Sequence, residues 1–323
     1  MTNPIDRTLN PTPIAGQVQN QSNPQTTELK KPDWLKIRPP KNPEKLAQIR
    51  QDLQKLGLAT VCQEAKCPNI GECWSGGTAT FMVMGDICTR GCKFCNVKTG
   101  LPKDLDPLEP HKVAFAVKKM DLDYVVITSV DRDELPDQGA QHFADTIKMI
   151  RKMNPDTLIE VLIPDFRGKL DLVDKIIEAN PEVIAHNIET IPRLQQSVRD
   201  FRANYDQSKK VLAHIKEQAP HIYSKSALMV GLGESDQEII DTLQDLRSVP
   251  VEIMTIGQYL KPSHRHLDVK NYVSPKTFEW YKDRGEEMGY LYVAAGPFVR
   301  SSYKAGELFL KALIKAKQNE NHD

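Results

Sequence analysis

All six cysteines of the 323-residue chain lie between positions 62 and 95. They form two triplets of different spacing: Cys62, Cys67 and Cys73 as C-x4-C-x5-C, then Cys88, Cys92 and Cys95 as C-x3-C-x2-C. Thiolates are soft ligands, so cysteines clustered this way point first to a metal. Their grouping in threes narrows the choice. A structural zinc site closes with four protein ligands, commonly in C-x2-C pairs, and neither triplet supplies two such pairs. A cuboidal iron–sulfur cluster also takes four ligands, one per iron, so three cysteines leave one iron free to bind something else. In "CTRGCKFC" the short loop with Gly91 can fold around one cube, and Phe94 beside the last cysteine helps to exclude water. A zinc site completed by a distant histidine is the plain alternative for this triplet.

Disulfides fit poorly. Stapled scaffolds belong to small secreted chains, whereas the N-terminus "MTNPIDRTLNPTPIAGQ" lacks a basic segment followed by an apolar one. The expected location is therefore the cytoplasm, where thiols stay reduced. No run of about 18 apolar residues occurs, so no membrane span is expected. With 43 basic and 43 acidic side chains the formal charge is zero, which argues against broad attraction to nucleic acid or membrane.

The elements that must position the cysteines follow from the pattern of apolar residues. Residues 1–33, rich in Asn, Gln, Thr and Pro, have too few large apolar side chains to offset the entropy of ordering and read as a disordered tail. In "NPEKLAQIRQDLQKLGL", Leu46, Ile49, Leu53 and Leu56 share one helical face, with Pro43 at its start and Gly57 at its end. Beyond the cysteines, apolar β-branched runs at 78–84, 124–130, 157–163, 182–188, 225–231 and 251–257 alternate with amphipathic stretches, and a further run occupies 290–296. Near-continuous apolar strands, each followed by a helix, mean a parallel sheet covered by helices, either an open doubly wound sheet or a partial barrel. In both, chemistry gathers where strands end. Thr128, Ser129 and Asp131, then Asp165, then Asn187 and Glu189, then Gly231 to Glu234, then Gln258 and Tyr259 occupy such ends.

The C-x3-C-x2-C loop with an aromatic before its last cysteine resembles the signature of the radical S-adenosylmethionine superfamily. The upstream C-x4-C-x5-C in "ATVCQEAKCPNIGECW", together with "RSSY" at 300–303, resembles the lipoyl synthase family. The blocks "GDICTRGCKFCNV", "VITSVDRDELPDQGA", "HNIET", "ALMVGLGE" and "GQYLKPS" follow in family order, and the resemblance runs from about Leu35 to Lys304.

That resemblance implies an α/β fold, a partial (β/α)6 TIM-like barrel over 78–290, with an N-terminal extension at 34–77 that carries an auxiliary cluster. A C-terminal segment at 291–323 carries the RSSY motif and a terminal helix. It further implies two 4Fe–4S clusters and S-adenosylmethionine as cofactors. Cys88, Cys92 and Cys95 would hold the radical-generating cluster, and Cys62, Cys67 and Cys73 the auxiliary one, closed by Ser302 in preference to its neighbour Ser301. Asn187, Glu189, Gly231, Gly233, Glu234, Lys225 and Arg300 are the candidates for contacts to S-adenosylmethionine. The implied reaction is radical insertion of two sulfur atoms at C6 and C8 of an octanoyl chain on a carrier lysine, with the auxiliary cluster as sulfur donor. The implied partners are octanoylated lipoyl carrier domains of 2-oxoacid dehydrogenase E2 subunits and of the glycine cleavage H protein, and an electron donor such as ferredoxin or flavodoxin.

Overall fold

The strongest apolar runs become the strands of one sheet. In the computed structural model, which describes residues 29–36, 43–64, 67, 69–75, 79–301 and 313, that sheet has eight strands among the described residues. They are β1 (Ala59–Thr60), β2 (Ala79–Val83), β5 (Tyr124–Ser129), β6 (Leu158–Leu162), β7 (Val183–Ala185), β8 (Tyr223–Val230), β9 (Ile253–Gln258) and β10 (Tyr292–Gly296), in that spatial order. A separate two-stranded pair, β3 (Ile87–Cys88) and β4 (Lys98–Thr99), frames the second cysteine loop. β1 runs antiparallel to β2, and every later neighbour pair is parallel. The run at 290–296 thus adds a seventh parallel strand to the six expected.

Each parallel step needs a crossover, which a helix supplies. Among the described residues the α-helices are α1 (Pro43–Leu56), α2 (Val61–Glu64), α3 (Ile70–Ser75), α4 (Glu109–Lys119), α5 (Ala140–Met153), α6 (Leu170–Glu178), α7 (Gln195–Val198), α8 (Tyr205–Gln218), α9 (Asp236–Arg247) and α10 (Pro275–Glu287). Their starts are written in the sequence. Asn204 accepts from the Gln207 amide at 2.8 Å, Ser235 and Glu238 form a reciprocal cap, and Ser274 accepts from the Thr277 amide.

Side chains alternate along the strands and so divide the core. Val125 and Ile127 of β5 bury against the apolar faces of α4 and α5. Tyr124 and Val126 join Leu158, Val183, Tyr223 and Ile253 in a second group, fully or almost fully buried although no connecting helix contributes to it. A sheet face buries itself only by curling, so the partial barrel prevails over the open doubly wound sheet. The two ends of the curl meet through side chains: Asn69, just before α3, donates to the Phe298 carbonyl beyond β10 at 2.6 Å.

The expected tail at 1–33 lies outside the described residues up to position 28. Beyond it, Lys31 lines the main cavity, and Leu35, in the 3-10 turn at Asp33–Leu35, is buried. Ser302 and the expected terminal helix, apart from position 313, also lie outside the described residues. Among the described residues no helix is long and apolar enough to cross a membrane.

Candidate active site

At the C-terminal ends of the parallel strands lies a cavity of about 520 Å³. Its wall includes all six cysteines, together with Thr128, Ser129, Asp131, Asp165, Asn187, Glu189, Gln258 and Tyr259 from the strand ends and Arg300 and Ser301 from the C-terminal segment. Two cysteine groups separated by a strand in sequence thus face one chamber.

The second triplet sits on a loop anchored at each end. Gly100 N donates to the Cys88 carbonyl at 3.0 Å, and Lys93 N donates to the Val198 carbonyl at 2.9 Å. Backbone N–H groups point at two of the sulfurs: Arg90 N and Asp131 N lie 3.4 Å from Cys88 Sγ, and Asp200 N lies 3.3 Å from Cys92 Sγ. Such donors favour a charged sulfur, yet burial, helped by the Asp131 carboxylate, pushes the Cys88 and Cys92 thiols up to about 12 and Cys95 to about 11. These sulfurs are thiolates only when a cation is bound among them.

Arg90, inside the loop and only 5% exposed, fans its guanidinium over three carboxylates: Asp133 and Asp165 at 2.8 Å each and Asp131 at 3.3 Å. This ties the cysteine loop to the ends of β5 and β6. Burial raises the Asp131 carboxyl to about 6 even against Arg90. Behind Asp165, Arg199 Nη1 donates to Ser208 Oγ at 2.8 Å, and Ser208 Oγ lies 2.8 Å from His186 Nε2. His186 Nδ1 faces the Ile163 carbonyl at 2.9 Å, which can only accept, so the proton sits on Nδ1. Burial, with Arg199 beside it, lowers His186 to about 4 and keeps it neutral.

The first triplet is carried by α2, α3 and the turn between them. Cys62 and Cys73 are buried, and Cys67 N donates to the Cys62 carbonyl at 3.0 Å. Burial raises both Cys62 and Cys67. Across the cavity, Arg300 turns one Nη onto its own Val299 carbonyl at 2.7 Å, and burial lowers its pKa while Cys67 pulls the other way. Close approach of this segment depends on Gly257, where a Cβ would meet the Val299 oxygen at 2.1 Å.

The structure sorts the other expected contacts. Asn187 Nδ2 donates to Glu189 at 3.1 Å and both line the cavity, although β7 ends at Ala185 and Glu189 has a left-handed backbone with φ 66°. Asn187 Oδ1, Ser129 Oγ and Thr255 Oγ1 on the same wall are buried without a hydrogen-bond partner among the described residues, which marks a polar guest. Lys225 is a correction. It sits low on β8, where Nζ meets Glu160 Oε1 at 2.7 Å, away from the cavity wall. Gly231, Gly233 and Glu234 also stand behind the wall. Glu234 accepts from the Gly231 and Leu232 amides, and a Cβ on Gly231 would strike the Gln258 amide at 2.1 Å, so these positions serve the loop's own packing. Sequence reasoning missed Arg90, His186 and Arg199; a charged residue between clustered cysteines was the signal for the first.

Among the described residues no three His, Cys, Asp or Glu side chains converge on a point that would hold a single ion. Three half-buried cysteines around a chamber, with N–H groups aimed at the sulfurs of Cys88 and Cys92, suit a group the size of an iron–sulfur cube.

Comparison with known proteins agrees. The Radical SAM superfamily model matches residues 82–246. Lipoyl synthase from Halobacterium salinarum is 56% identical over 291 residues, covering 88% of this chain and 93% of the relative. Lipoyl synthase from Myxococcus xanthus is 52% identical over 295 residues, covering 91% and 99%. Among solved structures, the FeFe-hydrogenase maturase HydG superposes with a TM-score of 0.54 at 15% identity over 76% of this chain and 66% of its own, a likeness of fold. With its cysteine triplets on one cavity and half its residues shared with these relatives along nearly the whole length, the chain belongs to the lipoyl synthase family and is a sulfur-inserting radical S-adenosylmethionine enzyme.

Proposed function

We propose that Cys88, Cys92 and Cys95 hold one 4Fe–4S cluster with S-adenosylmethionine on its open iron, and that Cys62, Cys67 and Cys73, closed by Ser302, hold a second. When bound, these groups supply a deoxyadenosyl radical that removes hydrogen at C6 and C8 of an octanoyl chain, and the sulfide inserted there. The observation that carries this reading is the shared chamber: both triplets line the same cavity of about 520 Å³.

The chain's own residues do the rest. Arg90 and its carboxylates fix the loop of the second triplet. Asn187, Glu189, Ser129 and Thr255 offer hydrogen bonds to the polar parts of S-adenosylmethionine. Arg300, whose Nη1 donates to the Val299 carbonyl, balances the negative charge of the auxiliary cluster. The apolar wall of Leu162, Ile163, Leu228 and Val299 excludes water from the reacting carbons. Residues 34–77, 78–290 and 291–323 then act as auxiliary arm, barrel and closing segment, with β1 of the first and β10 of the last joining the barrel sheet. The substrates are octanoylated carrier domains of 2-oxoacid dehydrogenase E2 subunits and the glycine cleavage H protein, and ferredoxin or flavodoxin supplies electrons.

The test is iron content and deoxyadenosine formation under dithionite. Replacing Cys88, Cys92 and Cys95 by alanine is expected to remove about half of the iron and all deoxyadenosine. Deoxyadenosine from that variant would overturn the assignment.

A further inference from the structure

Phe201 and Leu101 are 87% and 81% exposed, more than any other large apolar side chain among the described residues. Single exposed apolar residues are ordinary, but these two flank the same spot. A Cβ built on Gly91 would lie 3.8 Å from Thr99 and 3.9 Å from the Asp200 carboxylate, in the segments that continue to Leu101 and Phe201. Gly91 is itself exposed, so bare backbone separates solvent from the neighbouring Cys92. The site is held in place. Gly91 N donates to Asp200 at 2.8 Å, Arg202 donates to the Thr89 carbonyl at 2.8 Å, and the Arg202 guanidinium stacks over the Phe201 ring at 5.0 Å.

The rim is basic. Lys98 and Arg202 are paired with Asp86 and Asp200, whereas the exposed Lys93 and Arg265 make no ion pair among the described residues. Leu267 N donates to the Lys93 carbonyl at 3.3 Å, which brings the Arg265 segment alongside.

We propose that the face formed by Phe201, Gly91 and Leu101 is the docking site of the electron donor, a small acidic carrier protein whose redox group lies at its own surface. The inference rests on the assignment of the radical cluster to Cys88, Cys92 and Cys95. Electron transfer needs a short path, and here the exposed Gly91 is the residue next to Cys92. The donor loses one electron and the acceptor held by the cysteines gains it; no bond or proton changes at the interface. Two apolar contacts inside a cationic rim match the small, salt-sensitive, transient interfaces of electron-transfer pairs.

The experiment uses the full-length holoenzyme, unaltered and as Phe201→Asp with Leu101→Asp, and separately as Lys93→Glu. Binding of flavodoxin and of a 2Fe–2S ferredoxin is measured by calorimetry, and deoxyadenosine formation is driven either by these proteins or by dithionite. In the double variant at least a tenfold rise in Kd for one of the two proteins is expected, with a matching fall in the rate it drives and a dithionite rate within twofold of the unaltered enzyme. Lys93→Glu is expected to weaken binding more at low salt than at high salt. Unchanged donor binding in all variants would overturn the proposal, as would a raised KM for octanoylated carrier with donor binding intact, which would make the face a substrate surface. Absence of dithionite-driven deoxyadenosine in the unaltered enzyme would overturn the cluster assignment, and the docking site with it.

Discussion

Arg90 is the residue on which the second cysteine loop depends. Its buried guanidinium answers three carboxylates at once, a geometry that the planar fork of arginine permits and a lysine ammonium does not. Arg90→Met leaves Asp131, Asp133 and Asp165 together without their common cation and is expected to cost about 3–5 kcal/mol, read as a lower urea midpoint of the apoprotein. An unchanged midpoint would mean that the network contributes nothing to folding. His186 gives a pH signature. Its folded pKa of about 4 lies below the ordinary value, so the unfolded chain takes up a proton first as pH falls. Its contribution is full above about pH 6.5 and is lost towards pH 4, by up to about 3 kcal/mol. His186→Gln is expected to flatten urea midpoints over that window, and an equally steep dependence in the variant would assign it elsewhere. The clustering of the six cysteines in the sequence already suggested a common site, and all six line one cavity. The place of Lys225 was not legible there: it faces the barrel interior two residues below Ala227, which does line the cavity, and a chain position cannot tell the floor of a barrel from its mouth.

Elements bring the first triplet and the closing segment together. Strand and helix positions were readable because parallel strands are apolar along their length and the helix caps are explicit, as with Ser235 and Glu238. What periodicity could not show is the contact between chain regions 229 positions apart, where Asn69 holds the Phe298 carbonyl. Such a contact has no local signature, and the same holds for Gly257, whose missing side chain admits the Val299 carbonyl. Gly257→Ala is expected to displace the segment that carries Arg300 and Ser301, lowering lipoyl product on an octanoyl-lysyl peptide by an order of magnitude or more while deoxyadenosine formation persists. Full product yield would separate this segment from the auxiliary site. Asn69→Leu is expected to act in the same direction and to reduce iron bound by a Cys88, Cys92, Cys95 triple-alanine background, which reports the first triplet alone.

The whole molecule is a curled sheet with a plugged floor and a reactive mouth. The plug is ionic at its centre: Lys225 meets Glu160 at 2.7 Å, and Tyr124 donates to the other Glu160 oxygen at 2.6 Å, all fully buried. Lys225→Met alone strands a buried carboxylate and is expected to cost about 3–5 kcal/mol, whereas Lys225→Met with Glu160→Leu is expected to recover most of that. Equal midpoints for single and double variants would remove the ion pair from the account of stability. At the mouth, two cysteine triplets line one chamber, and the proposed function divides the work between them, the second starting the radical and the first giving up sulfur. The direct measurement is an anaerobic assay of the Cys62, Cys67 and Cys73 triple-alanine variant on an octanoyl-lysyl peptide, following deoxyadenosine and lipoyl product by mass. Deoxyadenosine with no sulfur-containing product is the expected result; lipoyl product from this variant, or loss of deoxyadenosine together with product, would contradict the division of labour.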